Sequence, residues 1–97
     1  MINMTNLDLS YNKQITDEGI KGMTKITSLD LSYNKRITDE GIKDMTKMTH
    51  LDLSNNNKII VDGIRNMINI TSLDLSENYT INEGHLQHLK KLTKIIR

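Results

Sequence analysis

Four aspartates, Asp8, Asp30, Asp52 and Asp74, each stand between two apolar residues. Each is followed two positions later by a serine: Ser10, Ser32, Ser54 or Ser76. Carboxylates and hydroxyls in such a set can attract cations, bond to their own backbone or, with a suitable imidazole, activate a nucleophile. The imidazoles are His50, His85 and His88. Only His50 falls beside the aspartates, where a metal pair with Asp30 or Asp52 can be drawn, but strand side chains on a broad open surface enclose an ion poorly. A serine triad needs a buried, oriented base, and these serines are copies with no unique partner. Gly19, Gly41, Gly63 and Gly84 are isolated glycines rather than a phosphate-cradling loop. The chain has no Cys, which removes disulfides, thiolate nucleophiles and the usual zinc spacings. The residue chemistry therefore points away from an enzyme, and to no catalytic residue, cofactor or resident metal.

What positions these side chains is a repeat. Leu-Asp-Leu-Ser recurs at Leu7, Leu29, Leu51 and Leu73, a spacing of 22 residues, and all four units stay in register without a gap. Residues 7–28 and 29–50 differ only at Gln14/Arg36, Gly22/Asp44, Ile26/Met48 and Ser28/His50. Units 51–72 and 73–94 diverge further, with a partial unit at 1–6 and a partial strand at 95–97. Leu7-Asp8-Leu9 alternates apolar and polar, which predicts a short strand with one buried face. Asn12, Asn34, Asn56 and Asn78 follow, then Ile15, Ile37, Ile59 and Ile81 as apolar anchors. Thr16 and Thr38 are placed to cap a short helix, with the acidic pairs Asp17-Glu18 and Asp39-Glu40 at its positive end. Ile20, Met23 and Ile26 form one apolar stripe behind them.

The pattern Met4-x-x-Leu7-x-Leu9-x-x-Asn12, repeated through Ile26-x-x-Leu29-x-Leu31-x-x-Asn34 and onward to Leu92-x-x-Ile95, resembles the leucine-rich repeat family over essentially the whole chain. Ile15-Thr16-Asp17-Glu18-Gly19-Ile20 and its copy at Ile37–Ile42 look like the cysteine-containing subtype of that family. Asn stands where that subtype has Cys, and the unit length is closer to internalin-like repeats. The resemblance implies an α/β repeat solenoid in a single domain, 1–97. Its short parallel β-sheet lies on the concave side, with short α or 3₁₀ helices on the convex side. It also implies that the asparagines form a structural ladder bonding backbone groups, and that the concave face binds protein or peptide. The candidates on that face are Asp8, Asp30, Asp52 and Asp74, with His50 beside them and the flanking column Tyr11, Tyr33, Asn55 and Glu77.

Stacked ~4.8 Å apart, the four carboxylates repel one another. That predicts raised pKa values for some of the column unless a cation intervenes, and a preference for a basic peptide, a Lys/Arg-rich protein surface or loosely held cations. The plainer alternative is that Asp and Ser are copied defaults, solvated or bonded locally. Lys plus Arg total 13 against 12 for Asp plus Glu, a formal charge of +1, which argues against a dedicated nucleic-acid or membrane binder. The opening residues lack a signal peptide's basic and apolar regions, and no apolar run is long enough to span a bilayer, so the expectation is a cytoplasmic protein. In the third unit the run Ile59-Ile60-Val61, of which only Ile59 is a normal core position, and Ile68 add apolar residues outside the core pattern, read either as a contact patch or as local repacking. Lys90, Lys91, Lys94 and Arg97 make the last stretch basic. Met1, Met4 and Leu7 at one end and Ile95-Ile96-Arg97 at the other look uncapped, so the expectation is either a part of a longer array or self-association into oligomers through the ends, the latter favoured. The rival to a binding module is thus a self-associating structural or consensus-like segment with no dedicated ligand.

Overall fold

Each Leu-Asp-Leu phrase builds a strand, shifted by one residue from its expected bounds. The strands are β1 (Asn6–Asp8), β2 (Ser28–Asp30), β3 (His50–Asp52), β4 (Ser72–Asp74) and β5 (Lys94–Ile96). The computed structural model describes residues 3–97, so Met1 of the opening unit lies outside the described residues. Between strands come α1 (Asp17–Ile20), α2 (Asp39–Ile42), α3 (Val61–Ile64) and a 3₁₀ turn at Glu83–Leu86. The strands form one parallel sheet in sequence order. Leu7, Leu29, Leu51, Leu73 and Ile95 share one column, and Asp8, Asp30, Asp52, Asp74 and Ile96 the next. Strands stacked in parallel with helices returning on the other side are the α/β solenoid that the resemblance implied.

No unit could bury its apolar face alone. Leu29, Leu51 and Leu73, then Ile37, Ile59 and Ile81, then Met23, Met45 and Met67 stack into a continuous buried core. Burying one such Leu or Ile side chain is worth about 1.5–3 kcal/mol. Ile20, Met23 and Ile26 all point inward as expected, but α1 ends at Ile20. Beyond it, backbone bonds from Met23 N–H to Ile20 and from Ile26 N–H to Met23 carry the stripe through tight three-residue turns.

The asparagine ladder uses all four hydrogen-bonding positions of each inner amide. Asn56 Nδ2 donates to Leu31 O at 2.8 Å and Asn34 O at 3.0 Å, and its Oδ1 accepts from Lys58 N–H at 2.9 Å and Ile59 N–H at 3.1 Å. Asn34 and Asn78 repeat this arrangement. A thiol could not donate twice and accept twice, so Asn is the fuller solution at this buried turn. A second ladder went unnoticed in the sequence although its signal is there: Thr5, Thr27, Thr49, Thr71 and Thr93 are all threonine. From Thr27 onward, each N–H and hydroxyl donates to the carbonyl of the threonine one unit earlier.

The helix starts correct one expectation. Neither Thr16 nor Thr38 caps its own helix through its side chain. Thr38 instead gives its N–H, at 2.8 Å, and its hydroxyl to the Asp17 carboxylate of the preceding unit. Asp39 repeats the clamp with Ile60 N–H at 3.0 Å but finds no hydroxyl there. Burial raises the Asp39 pKa, the Ile60 N–H opposes that rise, and neighbouring Asp62, Asp17 and Glu40 add to it. The clamp also explains two buried glycines: a Cβ on Gly41 or Gly63 would fall 2.6 Å from the facing carboxylate of Asp17 or Asp39. In the third unit Val61 replaces that aspartate, and in the fourth His85 occupies the glycine's position.

At the far side, Arg97 bends back over the stack. Its guanidinium donates to Asn78 O and Ile81 O, both at 2.8 Å, reaches Leu75 O at 3.5 Å and pairs with Glu83 at 3.0 Å. Leu75 O and Asn78 O are equivalent to the carbonyls that inner ladder asparagines take from the unit before. The edge read from sequence as bare is therefore partly closed by this side chain.

Candidate binding face

The register sets the floor of the open sheet face: Asp8, Asp30, Asp52 and Asp74 in one column, with Asn6, Ser28, His50 and Ser72 beside them. These columns line a shallow hollow along the sheet. In each unit one aspartate oxygen is committed locally. Oδ1 of Asp8, Asp30 and Asp52 accepts both the N–H, at 2.9 Å, and the hydroxyl, at 2.6 to 2.7 Å, of the serine two residues on. Asp74 accepts the Ser76 N–H only. The local bonding weighed from sequence thus accounts for Oδ1. Oδ2 of all four has no hydrogen-bond or ion-pair partner among the described residues.

Mutual repulsion was expected to raise carboxyl pKa values in this column. Asp8 moves the other way: the Ser10 hydroxyl, and next the Ser10 N–H, hold it below its ordinary value. Hydrogen bonds to the charged form outweigh distant like charges across water. The column ends at Ile96, which is 38% exposed, with Lys94 following Ser72. The acidic stripe therefore passes into an apolar and basic edge.

His50 is exposed and lies 2.9 Å through Nδ1 from the Thr49 hydroxyl. Among the described residues no three His, Asp or Glu side chains gather closely enough to hold a metal. His85 and His88 are exposed on the convex side, with His88 Nε2 2.8 Å from Arg65 O.

Tyr11, Tyr33, Asn55 and Glu77 do not lie on the floor. They occupy the turn leaving each strand, all with positive φ, at 60°, 58°, 54° and 54°. The Asp–Ser bonds just before them tighten this turn. Asn is comfortable at positive φ, whereas other side chains lose about 1–2 kcal/mol there. The Tyr11 and Tyr33 rings recover part of that by stacking, with centroids 4.5 Å apart and planes 9° from parallel; such a pair is worth about 0.5–1.5 kcal/mol. Burial raises the Tyr11 phenol pKa, and Tyr33 adds to the rise. Tyr79 bonds to the Glu77 carboxylate, which raises the Tyr79 pKa.

Of the third unit's extra apolar residues, Ile60 and Ile68 face outward, 42% and 61% exposed, whereas Val61 is partly buried and packs against the core.

Models of known families match at two places: one described as leucine-rich repeats in two copies over residues 24–66, and one described as a leucine-rich repeat over residues 1–23. No curated protein matches the chain. Among solved structures, the chain resembles one in the Toll–Spatzle complex, described as a molecular hub in Drosophila development and innate immunity. The two share 20% identity with a TM-score of 0.72 over 98% of this chain, which spans 14% of that one. With parallel strands, return helices and an asparagine at the same turn of every repeat, and with both family models falling on these units, this chain belongs to the leucine-rich repeat family.

Proposed function

We propose that the chain is a non-enzymatic protein-interaction module that takes a basic peptide or a Lys/Arg-rich protein surface along its open sheet face. One observation carries this reading: Asp8, Asp30, Asp52 and Asp74 are fixed by their serines so that each keeps Oδ2 free. The free oxygens share a strand-to-strand spacing of ~4.8 Å. Preorganised acceptors bind cationic side chains without first losing rotamer freedom. Leucine-rich repeat proteins are generally non-catalytic scaffolds for protein contacts, and the likeness to part of a hub complex is in keeping with such a role.

The test is a fluorescence-anisotropy titration of a labelled oligo-arginine peptide at low and at physiological salt. Wild type binds at low salt, and Asp30→Asn with Asp52→Asn weakens binding about tenfold, equivalent to about 1.4 kcal/mol. Equal binding by the double variant at low salt overturns the acidic-face reading.

The outward Ile60 and Ile68 favour a second reading, a self-associating structural segment without a dedicated ligand. Failure of the wild type to retain the peptide, combined with a mass above 11.2 kDa by light scattering, supports it.

A further inference from the structure

The turns after β1, β2 and β3 gather uncompensated positive charge. Lys13, Lys35, Arg36 and Lys58 are all exposed there, while segments 10–15, 32–37 and 54–59 hold no acid. None of these four cations has an ion-pair partner among the described residues. Lys21, Lys43, Arg65 and Arg97, by contrast, are paired with Glu18, Glu40, Asp62 and Glu83. The cation that follows each of the three α-helices is thus paired locally, whereas the rim cations cluster without a facing carboxylate, on the opposite side of the tight turn from the acidic floor.

The same rim carries the aromatic stack, and the stack is interrupted. Tyr11 covers one face of the Tyr33 ring. On the side of the third unit the column continues with the shorter Asn55, and a cavity opens there between Tyr33 and Tyr79, flanked by Lys35 and Lys58. The one carboxylate in the lining, Glu77, is engaged by the Tyr79 hydroxyl. A planar ring entering over Asn55 would extend the tyrosine stack by one layer, and negative groups on either side of it would meet Lys35 and Lys58. Aromatic rings prefer such offset-stacked contacts, and exposed cations select and orient an oppositely charged partner.

We propose that this rim is a second binding site, distinct from the acidic floor, that accepts an acidic peptide segment bearing an aromatic residue. The aromatic side chain stacks on Tyr33, and flanking carboxylates pair with Lys35 and Lys58. A partner with both basic and acidic-aromatic stretches would engage floor and rim together across the turn.

The probe is a labelled Glu-Glu-Tyr-Glu-Glu peptide, compared with its Tyr-to-Ala version and with a deoxythymidine decamer. The expected result is binding of the tyrosine peptide in preference to the other two. Tyr33→Asn weakens it about tenfold, the size of one lost aromatic contact. That variant places a residue comfortable at positive φ, so its fold is retained, checked by circular dichroism. Lys35→Gln with Lys58→Gln weakens it by at least a similar factor, while Lys47→Gln, an exposed cation elsewhere, leaves it within about twofold. Equal binding of the alanine peptide, equal loss with Lys47→Gln, or tighter binding of the oligonucleotide overturns the proposal.

Discussion

At the scale of single residues, the polar side chains that repeat most faithfully divide into buried ones that hold the chain and exposed ones left free to bind. Asn56 is buried and makes four hydrogen bonds to backbone groups of its own and the preceding unit. Asn12 is only partly buried, and among the described residues it accepts from Gln14 and Ile15 without donating. Each buried polar group left without a partner costs about 1–3 kcal/mol. Asn56→Ala is therefore expected to lower unfolding free energy by about 3–5 kcal/mol, and Asn12→Ala by about 1–2 kcal/mol, in urea denaturation followed by circular dichroism. Equal losses would show that the inter-unit half of the ladder contributes nothing. The aspartates differ in kind: one oxygen is spent on the turn and the other faces solvent, which is why the same residue serves both local structure and the proposed recognition.

At the scale of elements, the four-residue helices are too short to be stable alone and are held by contacts to the neighbouring unit. Gly19 and Gly63 occupy the same helical position in different units, and a methyl group tells them apart. At Gly19 the nearest atom to an added Cβ is Ile15 Cγ2 at 3.4 Å, an ordinary contact. At Gly63 the Asp39 carboxylate oxygen would be 2.6 Å away and the Asp39 Cα 3.2 Å away. Gly19→Ala is expected to raise stability by about 0.5–1 kcal/mol, the ordinary helical gain of Ala over Gly. Gly63→Ala is expected to lower it by about 1–3 kcal/mol, because the clamp must move. Thermal melts of the two variants check this, and shifts of the same sign would contradict it. His85 at the equivalent position beside Val61 is a natural instance of the first case.

At the scale of the whole molecule, stability in a solenoid is a sum of units and the interfaces between neighbours. Arg97 acts at one such interface, holding the Asn78 and Ile81 carbonyls and pairing with Glu83. Arg97→Ala is expected to cost about 1–2 kcal/mol. Amide exchange should quicken mainly in residues 72–96, with residues 28–53 little changed, when read by hydrogen–deuterium exchange. Uniform quickening would mean that the stack unfolds only as one body. Charge is also organised at this scale: the formal +1 averages an acidic floor, a basic rim and ion-paired helices.

The fold was almost entirely legible beforehand. A fixed period of Leu, Asn and Ile leaves a chain one economical way to bury its apolar columns, and each strand fell within a residue of its expected place, while the helices end earlier than the apolar stripe behind them. The aspartate column could be read from spacing, the asparagine ladder followed from the family resemblance, and Ile60 and Ile68 stood out as apolar residues outside the core pattern. What the spacing did not reveal were relations between units and the directions of side chains. Thr38 was expected to cap its own helix and instead bonds back to Asp17, and some of the aspartate column was expected to shift upward whereas Asp8 is held down by Ser10. Tyr11 and Tyr33 were read as a column flanking the aspartates, and their positive φ sets them at a turn whose lysines had not drawn notice. The physical reason is common to all three. Periodicity fixes which residues lie in one column, but hydrogen bonds and backbone turns, set only when the units stack, decide which way each column faces and what it touches.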